Sequence, residues 1–151
     1  MLEQQSLSQL RTLKLGGMAD ALDLQWQQPQ MYDDLSFNER IGLLIHQEIT
    51  SRENKRLQRL LKNARFKIIA RLEDIDYTHP RGLMKSQIAT LQTGDWLTKY
   101  RNLIITGPTG CGKTFIACAL GHYACHYKMS ITLSGRSASS EYHTTLEPLL
   151  H

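Results

Sequence analysis

The sequence of 151 residues lacks any long apolar run. Its apolar stretches are short, for example IGLLI at 41–45 and LII at 103–105. Both are far shorter than the roughly 18–20 residues that a membrane-spanning helix needs. The N-terminal stretch MLEQQSLSQLRTLKLGG also lacks a basic segment followed by an apolar one, which is the pattern of a secretory signal. The sequence therefore predicts a cytoplasmic protein with no membrane partner.

Cysteine is scarce, with three residues spaced seven apart, Cys111, Cys118 and Cys125. Two of them fall on one predicted helix, about 10 Å apart and too far to bridge, and the odd number also argues against a disulfide framework. A reducing compartment fits best. Cys118, His122 and His126 could share a helix face as metal ligands. Without a CxxC pair or a nearby acidic residue, three unrelated side chains are the favoured interpretation.

Acidic residues are nearly absent from one segment, between Arg52 and Arg71. This segment holds eight basic residues and one acid, Glu53, while the rest of the chain holds ten basic and thirteen acidic residues. The net charge of +4 is therefore a local excess. Such a pattern is typical of a surface that faces a polyanion.

The same segment has the clearest helical periodicity in the chain. A capping box, Ser36 with Glu39, predicts a helix start upstream. Leucine, alanine and isoleucine residues at helical spacing then form an apolar stripe up to Ile68, and the predicted basic helix covers 52–71. The opposite face could be simply solvated, could bind DNA phosphates or could dock an acidic protein. The candidate DNA-binding residues are Arg52, Lys55, Arg56, Arg59, Lys62 and Lys67.

A phosphate-binding loop follows a predicted buried strand at 102–106. The sequence GPTGCGKT at 107–114 fits the pattern G-x-x-x-x-G-K-[ST], and it opens a predicted helix that leads to a second strand at 129–133. Glycines let the backbone amides point at phosphate, Lys113 supplies a cation and Thr114 a hydroxyl for Mg²⁺. The predicted cofactors are ATP and Mg²⁺. The predicted binding residues are Gly107, Pro108, Thr109, Gly110, Cys111, Gly112, Lys113 and Thr114.

Acids that could support hydrolysis are missing after this loop. A P-loop ATPase also holds Mg²⁺ through an acid at the end of a second apolar strand. Only Glu141 and Glu147 follow Thr114, and neither comes after an apolar strand. The sequence therefore predicts nucleotide binding, and it leaves open whether the protein is an enzyme because no catalytic residue can be assigned.

Four blocks in order resemble a known family: LKLGGMADAL, DLSFNERIGLLIHQEITSRENKRLQRLLKNARF, LEDIDYTHPRGL and NLIITGPTGCGKTFIACALGHYAC. They resemble the IstB-like helper ATPases of bacterial insertion sequences, relatives of the DnaC helicase loader within the AAA+ group. The resemblance implies ATP-dependent assembly on DNA, a homo-oligomer when full length, and delivery of a target site to a transposase. It also implies that DIDY at 74–77 is the linker entering the ATPase domain, with Tyr77 near the adenine.

The predicted fold is α/β, an N-terminal helical domain followed by the first strand–P-loop–helix–strand unit of an incomplete parallel AAA+ sheet. The predicted divisions are a helical domain at 1–72, a linker with short helices at 73–99, the ATPase domain start at 100–133 and a disordered tail at 134–151. From Ser134 the sequence no longer resembles the family, which favours a truncated form.

Three functional hypotheses follow from these observations. The first is an ATP-binding helper of transposition that associates with DNA but cannot hydrolyse ATP alone. The second is a helical module that binds DNA or a transposase and carries a non-functional P-loop. The third is a helicase-loader role, as in the DnaC relatives.

Overall fold

The computed structural model describes residues 2–80, 82–138 and 141–149, with side-chain surroundings described for 2–80, 82–135, 147 and 148. The chain divides into two compact units, Met1–Arg56 and Leu57–His151. The sequence predicted a helical domain reaching residue 72, whereas the division lies within a helix. No described helix combines the length and apolarity needed to cross a membrane.

The first unit is helical. It contains α1 (Leu2–Thr12), α2 (Gly16–Gln27), a 3-10 turn (Pro29–Met31) and the first part of α3 (Phe37–Ala64). The helices approach closely at Gly17, where an added Cβ would lie 2.8 Å from the Cα of Glu48. Only a residue without a side chain lets α2 pack this closely on α3.

A buried carboxylate joins α3 to the first turn of α2. Glu48 is 7% exposed and accepts hydrogen bonds from the Met18 amide (3.1 Å) and from Arg52 Nε (2.6 Å). Arg52 also donates to the Lys14 carbonyl at 3.2 Å. The bond from Arg52 is the main cause that lowers the pKa of Glu48. Arg52 thus has a structural role in this unit.

The start of α3 confirms the predicted capping box. The Ser36 amide donates to Glu39 Oε2 at 2.8 Å, and the Glu39 amide donates to Ser36 Oγ at 3.4 Å. The side-chain and backbone bonds from Ser36 lower the pKa of Glu39. These bonds satisfy amides that the first turn of a helix leaves without intrahelical partners.

The end of α3 differs from the prediction. The helix ends at Ala64, and Arg65 takes a left-handed conformation with φ of +49°. The predicted extension to residue 71 is therefore wrong, and Lys67 lies outside the helix. The chain leaves the helical path so that Ala70 and Leu72, 1% and 6% exposed, enter the core of the second unit.

The second unit is built around a central helix. After the last part of α3 come a 3-10 turn (Leu72–Asp74), α4 (Lys85–Gln92), α5 (Asp95–Thr98), β1 (Leu103–Ile105), α6 (Lys113–His126), β2 (Ser130–Ala138) and β3 (Glu141–Leu149). The core contains Leu97 and, from α6, Cys118, Leu120 and Ala124. The predicted order of strand, loop, helix and strand is present at 103–138.

The sheet has the order β1-β3-β2, and both pairs are antiparallel. Leu103 of β1 and Leu133 of β2 both pair with Leu146 of β3. The predicted parallel sheet is therefore not what the structure shows: β1 and β2 run in the same direction, but β3 lies between them. An unpaired strand edge leaves backbone groups without partners, and β3 pairs with one edge of β1 and one edge of β2.

The region predicted as a disordered tail contains strands in its described part. β2 continues to Ala138 and β3 spans Glu141–Leu149, while the remaining residues of 134–151 lie outside the described part of the chain. Pro148 is compatible with this strand because β1 pairs only with Thr144 to Leu146, so Pro148 has a partner strand on one side alone.

Candidate functional site

The loop between β1 and α6 forms a tight curl. Gly107, Gly110 and Gly112 have φ values of +152°, +82° and +91°. Gly112 is the N-cap of α6 in the left-handed conformation, which glycine adopts without a steric penalty. At Gly107 an added Cβ would lie 3.1 Å from Cys111 Sγ. Both positions therefore require glycine to bring the backbone around the first turn of α6.

Lys113 is the side chain around which the loop closes. It is the first residue of α6 and only 7% exposed. Its ammonium donates hydrogen bonds to the carbonyls of Gly107 and Pro108, and Nζ lies 3.7 Å from Cys111 Sγ. A buried ammonium at a helix N-terminus, next to amides that the first turn leaves unsatisfied, concentrates positive charge at this point.

The other predicted loop residues surround Lys113 in sequence and lie closer to solvent. Pro108, Thr109 and Gly110 are exposed, and Cys111 is half-buried. Thr114, in the first turn of α6, is exposed, so its hydroxyl is accessible to a ligand. The structure thus brings the eight predicted residues, 107–114, into one loop and one helix start.

A cavity of about 200 Å³ lies beside this loop, lined by Gly112 and Phe115 and by residues of the predicted linker. Asp74, Ile75 and Asp76 of that linker face the N-terminal end of α6 across the cavity. Tyr77 is half-buried against the core, with Lys85 Nζ 5.4 Å from its ring centroid. The first three residues of DIDY thus lie beside the loop, and the place of Tyr77 near the adenine stays a prediction.

Asp76 has a hydrogen-bond network that the sequence analysis missed. Its carboxylate accepts from the Thr78 amide (2.8 Å) and hydroxyl (2.6 Å), and Oδ2 lies 2.8 Å from His79 Nδ1. The Thr78 hydroxyl and amide, followed by His79, lower the pKa of Asp76 to about 2. Asp76 is therefore a carboxylate at the cavity at neutral pH. The Asp-x-Thr spacing, typical of an Asx turn, was the available signal.

The predicted basic face is only partly preserved. Five of its six residues lie on α3 and are exposed, while Lys67 lies beyond the helix end. Arg52 has its guanidinium on Glu48 and the Lys14 carbonyl. The exposed positions on α3 are Arg52, Lys55, Arg56, Arg59 and Lys62.

The considered metal ligands do not form a site. Cys118 is fully buried in the core, whereas His126 is exposed at the end of α6. Within the described residues no three histidine, cysteine or acidic side chains could hold a metal ion.

With this geometry established, comparison with known proteins identifies the family. The model of the family described as IstB-like ATP binding protein matches residues 8–138, which run from within α1 through the loop to the end of β2. The chain belongs to the IstB-like family. This confirms the resemblance inferred from the four sequence blocks.

Individual relatives agree with this assignment. The chain is 53% identical over 126 residues, 83% of its length, to a protein of Pseudomonas fluorescens named as an insertion sequence IS1162 ATP-binding protein. It is 43% identical over 131 residues, 87% of its length, to one of Sinorhizobium fredii named as an insertion sequence ATP-binding protein. The aligned regions are 54% and 52% of those relatives, so this IstB-like chain spans about half of their length.

Proposed function

We propose that this IstB-like chain is an ATP-binding protein associated with DNA that assists insertion-sequence transposition. The observation that carries the proposal is the buried ammonium of Lys113 inside a glycine loop at the start of α6. Its relatives bear the names of insertion sequence ATP-binding proteins, which supports this choice of ligand and process. The proposed location is the cytoplasm.

ATP fits the chemistry of the loop. Lys113 would bind the β- and γ-phosphates, and the amides of the curled loop and first turn would bind the remaining phosphate oxygens. The Thr114 hydroxyl, which is exposed, would hold Mg²⁺, whose charge would offset that of the phosphates. Tyr77 is proposed to lie on the side of the adenine, because its segment DIDY faces the same end of α6.

The cationic residues of α3 are proposed to contact DNA phosphates. Lys55, Arg59 and Lys62 are exposed on one side of the helix, while Leu60 and Ala64 are buried. Long cationic side chains on an exposed helix face supply the sequence-independent part of DNA affinity. We assign the contacts to phosphate rather than to bases.

The proposal extends to the protein partner, the oligomeric state and ATP hydrolysis. The transposase of the same insertion sequence is the proposed protein partner, and a homo-oligomer is proposed for the full-length relatives. We propose no ATP hydrolysis by this chain alone. Two carboxylates follow Thr114 in the sequence. Glu141 begins β3 and Glu147 lies near its end, so neither is proposed to hold Mg²⁺ as the acid of a P-loop ATPase does.

Thermal unfolding with and without Mg-ATP tests nucleotide binding. With ATP at about 100 times its dissociation constant, the folded state is expected to gain roughly 2.7 kcal/mol, because ligand binds the folded chain alone. Calorimetry should show a midpoint that rises with ATP concentration. A midpoint independent of ATP would contradict the proposal and favour a helical module with a non-functional loop.

The double substitution Arg59→Glu and Lys62→Glu tests the DNA contact. If both residues meet phosphates, the slope of log affinity against log salt should become shallower by about 2, since each contact contributes about 0.9. Fluorescence anisotropy with a labelled duplex measures this slope. The matched control, Lys99→Glu with Arg101→Glu, makes the same charge change at exposed positions away from α3. Equal slopes for the two double variants would overturn the assignment to α3.

A further inference from the structure

A second cavity, separate from the loop at 107–114, is lined by several cationic or protonatable side chains. It has a volume of about 400 Å³ and lies between the 3-10 turn that begins at Leu72 and the second half of α6. The buried Leu72 and Ala119 form its base. The charged or protonatable residues around it are Arg71, Glu73, His122, Tyr123 and His126.

The two histidines are adjacent on α6. Their ring centroids lie 5.4 Å apart, and the ring of Phe66 lies 6.3 Å from His122. Burial lowers the pKa of His122, and the charges of His126 and Arg71 lower it further. Arg71, just before the Leu72 turn, and His126, at the end of α6, therefore both affect the protonation of His122.

Tyr123 and Glu73 are the other polar side chains around the cavity, and their charges limit which ligands can bind there. The Tyr123 hydroxyl donates to the Gln92 carbonyl at 2.6 Å and lies 2.9 Å from Tyr127 Oη. Burial is the main cause that raises its pKa to about 12, so Tyr123 stays neutral. Among the described residues of the lining, Glu73 is the one carboxylate, against one guanidinium and two imidazoles.

A metal cation is the poorer fit to this lining. Arg71 repels a cation, and no third histidine, cysteine or acidic ligand in the described residues is placed to complete a metal site. An oxyanion, by contrast, can accept hydrogen bonds from a guanidinium and from imidazoles at once, and such bonds are strongest when the donor is charged.

We propose that Arg71, His122 and His126 form a binding site for a phosphate monoester group, distinct from the ATP loop. Arg71 provides a guanidinium, and the two histidines provide ring N–H donors on the opposite side of the cavity lining. Glu73 weakens binding, since its carboxylate repels the ligand. The site does not depend on the proposed ATP binding, because it uses none of residues 107–114.

The test uses glycerol 3-phosphate and the Lys113→Ala chain, which removes the loop's ammonium. Histidine ring signals of His122 and His126 are followed by NMR at constant ionic strength, set with chloride. The expected result is a saturable shift of both histidines.

Three substitutions at exposed positions separate this site from general ionic effects. Arg71→Gln and His126→Gln should each weaken binding on the order of tenfold, which corresponds to one lost charge-assisted hydrogen bond. Glu73→Gln should strengthen it severalfold. Shifts that do not saturate, or that are equal in Arg71→Gln and Glu73→Gln, would overturn the proposal.

A final arm identifies the source of the phosphate group. A short DNA duplex that shifts the same histidine signals and displaces glycerol 3-phosphate would identify the ligand as nucleic acid phosphate. Signals that respond to the ester but not to the duplex would assign the site to small phosphate esters. Failure of ATP binding in the wild-type chain would leave either result unchanged, so the two proposals fail separately.

Discussion

Lys113→Ala is expected to abolish the stabilisation of the chain by Mg-ATP. The wild-type chain should gain roughly 2.7 kcal/mol at about 100 times the dissociation constant, and the variant should gain close to nothing. The physical reason is that the variant loses the ammonium at the centre of the loop, where the γ-phosphate would lie. Charge-assisted hydrogen bonds of this kind are among the strongest that a protein makes to phosphate.

The substitution of Lys113 changes the stability of the folded chain as well as its binding of ATP. Lys113 is buried and hydrogen-bonded to the Gly107 and Pro108 carbonyls, so its removal will also destabilise the chain without ATP. The informative quantity is therefore the difference between unfolding free energies with and without ATP in the same variant. Lys99→Ala, at an exposed lysine paired with Asp95 at 3.4 Å, is the matched control and should keep the full gain. An equal ATP-dependent gain in Lys113→Ala would exclude the loop as the nucleotide site.

Local sequence signals predicted local structure well. The capping box at Ser36 and Glu39 and the helix that follows the glycine loop are both present, because each depends on residues within a few positions of one another. The buried position of Lys113 follows from the same local pattern. The glycine loop at 107–114 is thus the part of the candidate site that sequence alone locates.

Long-range pairing was not predictable in the same way. The tail from residue 134 is rich in serine, threonine and other polar residues, so its composition indicated disorder, yet the backbone of β3 completes the ladders of both β1 and β2. Backbone hydrogen bonding depends little on side-chain polarity, and a strand between two others gains partners on both sides. The early end of α3 at Ala64 has a similar cause, because burial of Ala70 and Leu72 outweighs further helical turns.

The partners of charged side chains were also only partly predictable from helical spacing. Arg52 was assigned to the DNA-binding face from helical spacing alone, but Glu48 lies one turn before it and holds its guanidinium. The sequence contains this i,i+4 pair, and such pairs are a recognised helix signal. The cavity between the Leu72 turn and α6 had no local signal, since Arg71 and His122 are far apart in the chain.

Gly17→Ala is expected to destabilise the first unit by about 3 kcal/mol, whereas Gly16→Ala is expected to be neutral or slightly stabilising. An alanine Cβ at Gly17 would lie 2.8 Å from Glu48 Cα and 2.9 Å from the Gln47 carbonyl oxygen, which are backbone atoms of α3 that a rotamer change cannot move. Overpacking of this kind forces helices apart and costs roughly 1–3 kcal/mol or more. At Gly16 no atom lies within 4 Å of the added methyl group.

Urea unfolding of the full-length single variants, followed by circular dichroism and by hydrogen exchange of α2 and α3 amides, measures the difference. Both substitutions add the same methyl group near the start of the same helix, so their effects on helix propensity and on the unfolded chain nearly cancel. What remains is the close approach of α2 to α3. Because Glu48 accepts its bond from the Met18 amide next to Gly17, separation of the helices in Gly17→Ala should also speed exchange at Met18. Equal stabilities and equal exchange at Met18 would show that α2 and α3 do not meet at Gly17.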